Sequence, residues 1–161
     1  MKEKLELAGE FASDKFSNHG NCAQAVVWGV SRVIEEIDEE LVKVAHSFSA
    51  GGAGVGVGAC GALSGGMLAL SAIFGRTIEN MGIDEHKLNA DLNLELVEKF
   101  NSYFKGHSCN DFQKLINGKI YNLNNPDEKK ICKTPEFKSN CKVMVQKVSE
   151  WTAELILENS K

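Results

Sequence analysis

Five cysteines carry the reactive chemistry of this chain: Cys22, Cys60, Cys109, Cys132 and Cys141. None forms C-x-x-C, so the thioredoxin-like redox motif and the zinc-ribbon hook are absent, and no C-x-x-C-H marks a covalent haem. Position says more than spacing. Cys22 follows Asn21, Cys109 follows Ser108 and Cys141 follows Ser139-Asn140, and each pairing predicts the first turn of a helix. Cys60 opens an apolar segment after a glycine run. At a helix start, free backbone N–H groups and the positive dipole end favour a thiolate, the form that attacks a disulfide or ligates a metal. A lone buried cysteine is often only a small hydrophobe, but four at helix starts outweigh that reading. Cys132 precedes Lys133-Thr134-Pro135 in an irregular stretch and reads as an incidental thiol.

Two mechanisms fit Cys22, Cys60, Cys109 and Cys141. In the first they are catalytic dithiol pairs: one thiolate attacks a substrate disulfide and a second cysteine resolves the mixed disulfide. Cys60 is the expected attacker because its small neighbours leave room for a substrate sulfur. Cys22 is then its resolving partner and Cys109 with Cys141 a second couple, although other pairings stay open. In the second, the same four cysteines ligate one metal centre, an iron–sulfur cluster ahead of zinc. No local chelating pair of the kind most structural zinc sites use is present. No cofactor is required by the residues themselves.

Eight of the fifteen glycines lie between Gly51 and Gly66. Gly56, Gly58 and Gly61 match G-x-G-x-x-G, but that fingerprint needs a preceding strand and the segment before it reads as helix. No Asp, Glu, Lys or Arg occurs between Lys43 and Arg76, and Gly61 with Gly65 forms a G-x-x-x-G pair. The neighbouring helices are amphipathic and no cationic asymmetry flanks the segment, so a helix buried inside a bundle is expected, not a membrane span. Small residues also permit close backbone approach. Gly58, Gly61, Ala62 and Gly65 are therefore the expected binding surface around Cys60. A non-redox helical protein using this segment to bind a ligand or partner is a further alternative, with Phe137, Tyr121 and Tyr103 as added surface. The same glycines suit packing between protomers, so a homodimer is one expected state.

The elements that must position these groups are helical. Leu5, Leu7, Ala8, Phe11, Ala12 and Phe16 predict one stripe of a first helix ending near His19-Gly20. Asn21 caps a second with Ala25, Val26, Val30, Val33 and Ile37 inward, and Asp38 a third with Leu41, Val44, Ala45 and Phe48. An apolar helix is expected from about Cys60 to Phe74. A fifth opens at Ile83-Asp84 and reaches Phe104, with Leu88, Leu92, Leu96, Val97 and Phe100 as its stripe. A short helix spans Ser108 to Gly118, residues 117–138 look irregular, and a last helix runs from about Asn140 to Leu157. The expectation is an all-α, single-domain bundle of six to seven helices over residues 1–161, with a buried Gly/Ala-rich central helix.

Of 161 residues, 43% are hydrophobic and 25% charged, the composition of an ordinary globular domain. The formal charge of −4 disfavours nucleic acid as a partner. Residues 1–98 carry 7 basic against 15 acidic side chains and residues 99–161 carry 11 against 7, a bipolar distribution. No secretory signal is visible, which points to the cytoplasm, where thiols stay reduced. His19 lies close enough to Cys22 to assist it, and His46 reads as a core residue. His86 reads as a solvated helix position, and His107 and Lys105 sit near Cys109. None builds a hydrolase triad or H-E-x-x-H.

Cys22-Ala23-Gln24-Ala25-Val26, then Cys60-Gly61-Ala62-Leu63-Ser64-Gly65, then Cys109, then Cys141 resemble the C_GCAxxG_C_C redox-active proteins, in order, over about residues 5–157. The Cys60–Gly65 element is the most specific part. The resemblance implies a small cytosolic helical protein with four paired-up functional cysteines and redox activity, without a substrate; a redox partner protein or a small disulfide is the expected partner. Cys132 has no counterpart in that pattern.

Overall fold

The computed structural model describes residues 1–83 and 85–160. Its α-helices are α1 (Lys2–His19), α2 (Cys22–Ser31), α3 (Glu40–Val44), α4 (Gly61–Phe74), α5 (Lys87–Phe104), α6 (Cys109–Asn117), α7 (Pro126–Ile131) and α8 (Pro135–Asn159). Two 3-10 turns, Ala45–Gly51 and Ile78–Asn80, join them, and the described residues contain no strand. The all-α bundle read from the sequence is the observed architecture.

Helix α1 lies along α8 and α2, α2 along α4 and α8, and α5 closes the far side of α4. The fully enclosed side chains include Val26 and Val30 of α2, Leu70 of α4, Phe100 of α5, and Val145 and Val148 of α8. Each such burial contributes about 1.5–3 kcal/mol. Small residues let these helices approach closely. Gly65 sits against the Ala23 carbonyl on one side of α4, and on another side Gly66 faces Thr152, Leu96 and Val148. That two-sided contact explains the Gly/Ala-rich composition of α4. Its last turn emerges, with Ser71 and Ala72 exposed. Among the described residues no helix is long and apolar enough to cross a membrane.

Several expected boundaries shift. Helix α2 ends at Ser31, yet Val33 and Ile37 stay buried from the turn that follows. The third helix stops at Val44, because Ser49 and Ala50 leave helical geometry and the chain tightens into a 3-10 turn. Leu7, Phe11, Val44, Phe48 and Leu88 are exposed, off the buried stripes of their elements. Helix α5 begins at Lys87, and Asp84, expected at its start, lies outside the described residues.

The stretch 117–138 is not wholly irregular. Asn125 caps α7, accepting from Asp127 N at 2.9 Å, and Pro126 occupies its first turn. Thr134 caps α8 with Pro135 behind it, so the last helix starts before Asn140. Proline at the first helical position loses no hydrogen bond and brings a preset φ. Cys141 therefore lies well inside α8 and not at its start.

Candidate functional site

The starts of α2, α4 and α6 meet at one end of the bundle. Asn21 adopts a left-handed conformation (φ 59°), and its Oδ1 accepts from Gln24 N at 3.1 Å, which fixes Cys22 as the first residue of α2. Asn21 Nδ2 donates to His46 O at 3.0 Å and Gln24 Nε2 to Val42 O at 2.9 Å, tying this start to the 3-10 turn and to α3. Cys22 Sγ lies 3.5 Å from Ser49 Oγ. It also rests against the Cα of Gly61, where a Cβ would overlap the sulfur. Residue 61 must be glycine for Cys22 to sit there.

Cys60 is the N-cap of α4 and Cys109 the first residue of α6. A capping box sets the latter: Ser108 Oγ accepts from Asp111 N at 3.0 Å, and Asp111 Oδ2 accepts from Ser108 N at 3.3 Å. The two starts are clasped by backbone. Cys60 N donates to His107 O at 2.6 Å and Cys109 N to Gly58 O at 3.2 Å, around an antiparallel bridge between Ala59 and Ser108. Just outside it, Asn110 N donates to Gly56 O at 2.9 Å. Gly56 is left-handed (φ 81°), and Asn110 Oδ1 occupies the space a Cβ would need.

Above these starts lies a cavity of about 470 Å³, and all five cysteines line it as free thiols. Phe16, Phe112 and Met144 give it apolar walls, and Asn21, Ser49 and Gln113 polar ones. Helix α7 and the start of α8 close one side with Lys129, Cys132, Lys133, Phe137 and Lys138. Phe137 is braced edge-on by Tyr121, ring centroids 5.9 Å apart. Tyr103 packs elsewhere, on Phe104 and Trp151.

Burial holds four of these cysteines, Cys60, Cys109, Cys132 and Cys141, toward the thiol form. Burial pushes Cys60 well above the ordinary thiol value, and Cys22, Cys141 and Cys109 add to the rise while the Ala62 N–H opposes it. Burial also raises Cys141, with Cys22, Cys109 and Cys132 adding to it. Burial raises Cys109, which accepts from Gln113 Nε2 at 3.5 Å and also feels Cys22. Cys132 is pushed up to about 11, first by burial and then by Cys109 and Glu128. Every pair among Cys22, Cys60, Cys109 and Cys141 is thus close enough for one charge to be felt by the other. The expectation that helix starts lower these thiols fails for Cys60 and Cys109 because desolvation outweighs the dipole. Among the described residues, no three His, Cys, Asp or Glu side chains are placed to hold a metal ion.

Of the glycine-segment residues expected to bind, Gly61 and Ala62 line the cavity. Gly58 acts through its carbonyl, and Gly65 sits at the crossing with α2. His19 and His46 line the cavity, His107 contributes its carbonyl to the clasp, and His86 is the N-cap of α5. Ser49, Gln113 and the three lysines were not singled out by sequence. Gln113, four residues after Cys109 on one helix face, is the one whose spacing offers a signal.

A family model described as "Putative redox-active protein (C_GCAxxG_C_C)" matches residues 20–155. The chain belongs to that family. The C_GCAxxG_C_C match begins just before Cys22 and runs through the clasp and α7 into α8, so it contains every cysteine of the cavity. No curated protein and no solved structure matches the chain.

Proposed function

We propose that this C_GCAxxG_C_C protein carries out thiol–disulfide exchange, with the cavity as its reaction chamber. One observation carries the reading: cysteines from four separate elements face one cavity as free thiols within electrostatic range of one another. Burial supports a division of roles. Cys60 is 7% exposed, whereas Cys22 is half-buried and rests on the residue that follows Cys60. Cys22 is therefore the attacker and Cys60 the resolving thiol, the reverse of the order expected from sequence. Cys109 and Cys141 form the second couple.

The Cys22 thiolate attacks one sulfur of a disulfide R–S–S–R, forming a protein–S–S–R bond and releasing R–S⁻. The Cys60 sulfur then attacks Cys22 Sγ, forming the Cys22–Cys60 bond and releasing the second R–S⁻. The two thiol protons end on the two released thiolates, and two electrons pass from protein to substrate. A disulfide becomes strongly oxidising when its reduced form is stabilised as thiolate, and this site withholds that stabilisation from Cys60. The reduced protein is accordingly the electron donor.

Thiol counting and peptide mapping test this on protein purified without oxygen. One equivalent of a small disulfide is expected to remove two thiols with no residual adduct. Cys60→Ser is expected to stop at a mixed disulfide on Cys22. Unchanged thiol counts would overturn the reading. Iron with acid-labile sulfide in the purified protein would replace it with a cluster protein.

A further inference from the structure

The cavity wall is charged in one sense. Lys129 and Lys133 stand exposed on it and Lys138 is half-buried, while among the described residues no Asp or Glu lines the cavity. Among the described residues none of these three lysines is ion-paired. Lys138 Nζ donates to Ser17 O at 3.5 Å, whereas their neighbour Lys130 is neutralised by Asp127 at 2.9 Å. The nearest carboxylate in sequence, Glu128, accepts from Asn122 N at 2.6 Å; its charge reaches Cys132, but it is not part of the lining. The chain as a whole carries −4, so this positive rim is local and not a reflection of bulk charge. Around 470 Å³ is the size of a small-molecule site. Carboxamides of Asn21, Asn117, Asn124 and Asn140 add neutral hydrogen-bonding groups to it.

We infer that the cavity selects an anionic small molecule, a low-molecular-weight disulfide bearing carboxylates, which Lys129, Lys133 and Lys138 hold over the thiols. This rests on the exchange reading above and names its substrate class. The lysines neutralise the carboxylates, and they also favour departure of each released R–S⁻ by attracting the charge that develops on it. Cys22 then meets the substrate sulfur at a wall where, among the described residues, no Asp or Glu competes with the lysines for the anion.

The test compares three disulfides on the reduced full-length protein: 3,3′-dithiodipropionate (dianionic), 2-hydroxyethyl disulfide (neutral) and cystamine (dicationic). Loss of thiols is followed at low ionic strength. The dianion is expected to react about tenfold faster than the neutral compound and the dication slower than both, the scale electrostatic steering gives. Near 1 M salt the three rates should converge. Replacing Lys129, Lys133 and Lys138 by Gln should abolish the ordering, whereas Lys114→Glu, on exposed α6 surface, should preserve it. Equal rates in the wild type at low salt would overturn the inference while leaving exchange intact.

A second readout is independent of redox chemistry. Suberate, an inert dicarboxylate of matching length, should slow iodoacetamide capture of the cavity thiols in the wild type and not in the triple Gln variant. If no disulfide oxidises the protein and suberate still protects, the exchange reading falls and the anion site stands. If suberate gives no protection, the anion site falls.

Discussion

Cys22 Sγ lies against the bare Cα of Gly61, so a thiol at the start of one helix fills the side-chain position missing from the start of another. The contact joins α2 to α4 where the reactive chemistry is concentrated. It also makes Gly61 a steric regulator of a sulfur far from it in sequence.

Gly61→Ala should therefore act on both stability and thiol reactivity. Overpacking of this kind costs about 1–3 kcal/mol, read as a lowered urea midpoint with unchanged slope. Cys22 should also change its alkylation rate, because it must leave its seat. Gly66→Ala, which meets Thr152, Leu96 and Val148 instead, should destabilise by a similar amount and leave Cys22 alkylation as it was. Identical Cys22 kinetics in both variants would refute the assignment.

The start of α6 offers a gentler perturbation. Ser108→Ala removes the hydroxyl that accepts from Asp111 N at 3.0 Å. A lost N-cap costs about 0.5–2 kcal/mol. Because Cys109 is the next residue and is clasped to Gly58, its capture by iodoacetamide should accelerate more than that of Cys141. Peptide-resolved mass spectrometry after timed alkylation decides this.

Raised thiols make the protein pH-sensitive on the alkaline side. Cys60, Cys109, Cys132 and Cys141 all lie above the ordinary 9.0, Cys132 at about 11. From pH 9 upward the unfolded chain releases these protons before the folded one does. Folded protein then binds more protons, and stability falls with rising pH. For Cys132 the contribution is whole below pH 9.0 and gone above about 11. Urea midpoints at pH 8 and pH 10 should show the drop, and Cys132→Ser should make it shallower. Alkylation of Cys132 should meanwhile rise about tenfold per pH unit up to its pKa.

Much of this arrangement is legible in local chemistry. Asn21 before Cys22, Ser108 three residues before Asp111, and the turn glycines Gly20 and Gly118 mark helix ends because each signal acts within a few residues. Thr134-Pro135 is an equally local cap, but it lies inside the stretch 117–138, whose weak periodicity hides it, and Cys141 then looks like a helix start. Phe48 continues a helical stripe in sequence, yet Ser49 and Ala50 abandon helical geometry as the glycine turn folds back on itself through Gly51, Gly56 and Gly58. The protonation of the thiols was out of reach altogether. It depends on what covers each sulfur, and residues such as Phe16, Phe112 and Met144 come from three different helices.

Hydrogen exchange should divide the cavity in two. Amides of α7, which buries none of its residues, should exchange far faster than those of α4 between Gly61 and Leu70. Equal protection across both segments would contradict the packing.

That thin helix has a kinetic consequence. A wall with so little burial should melt and re-form while the bundle beneath it stays intact, which would place the thiols under a local equilibrium and not under global stability. When reclosing outpaces reaction, capture is governed by the population of the open form. A loosened α7 would then yield a protein that denatures at nearly the same urea concentration yet reacts many times faster. Reactivity and robustness are set by different parts of the same short chain, and selection can tune one without disturbing the other.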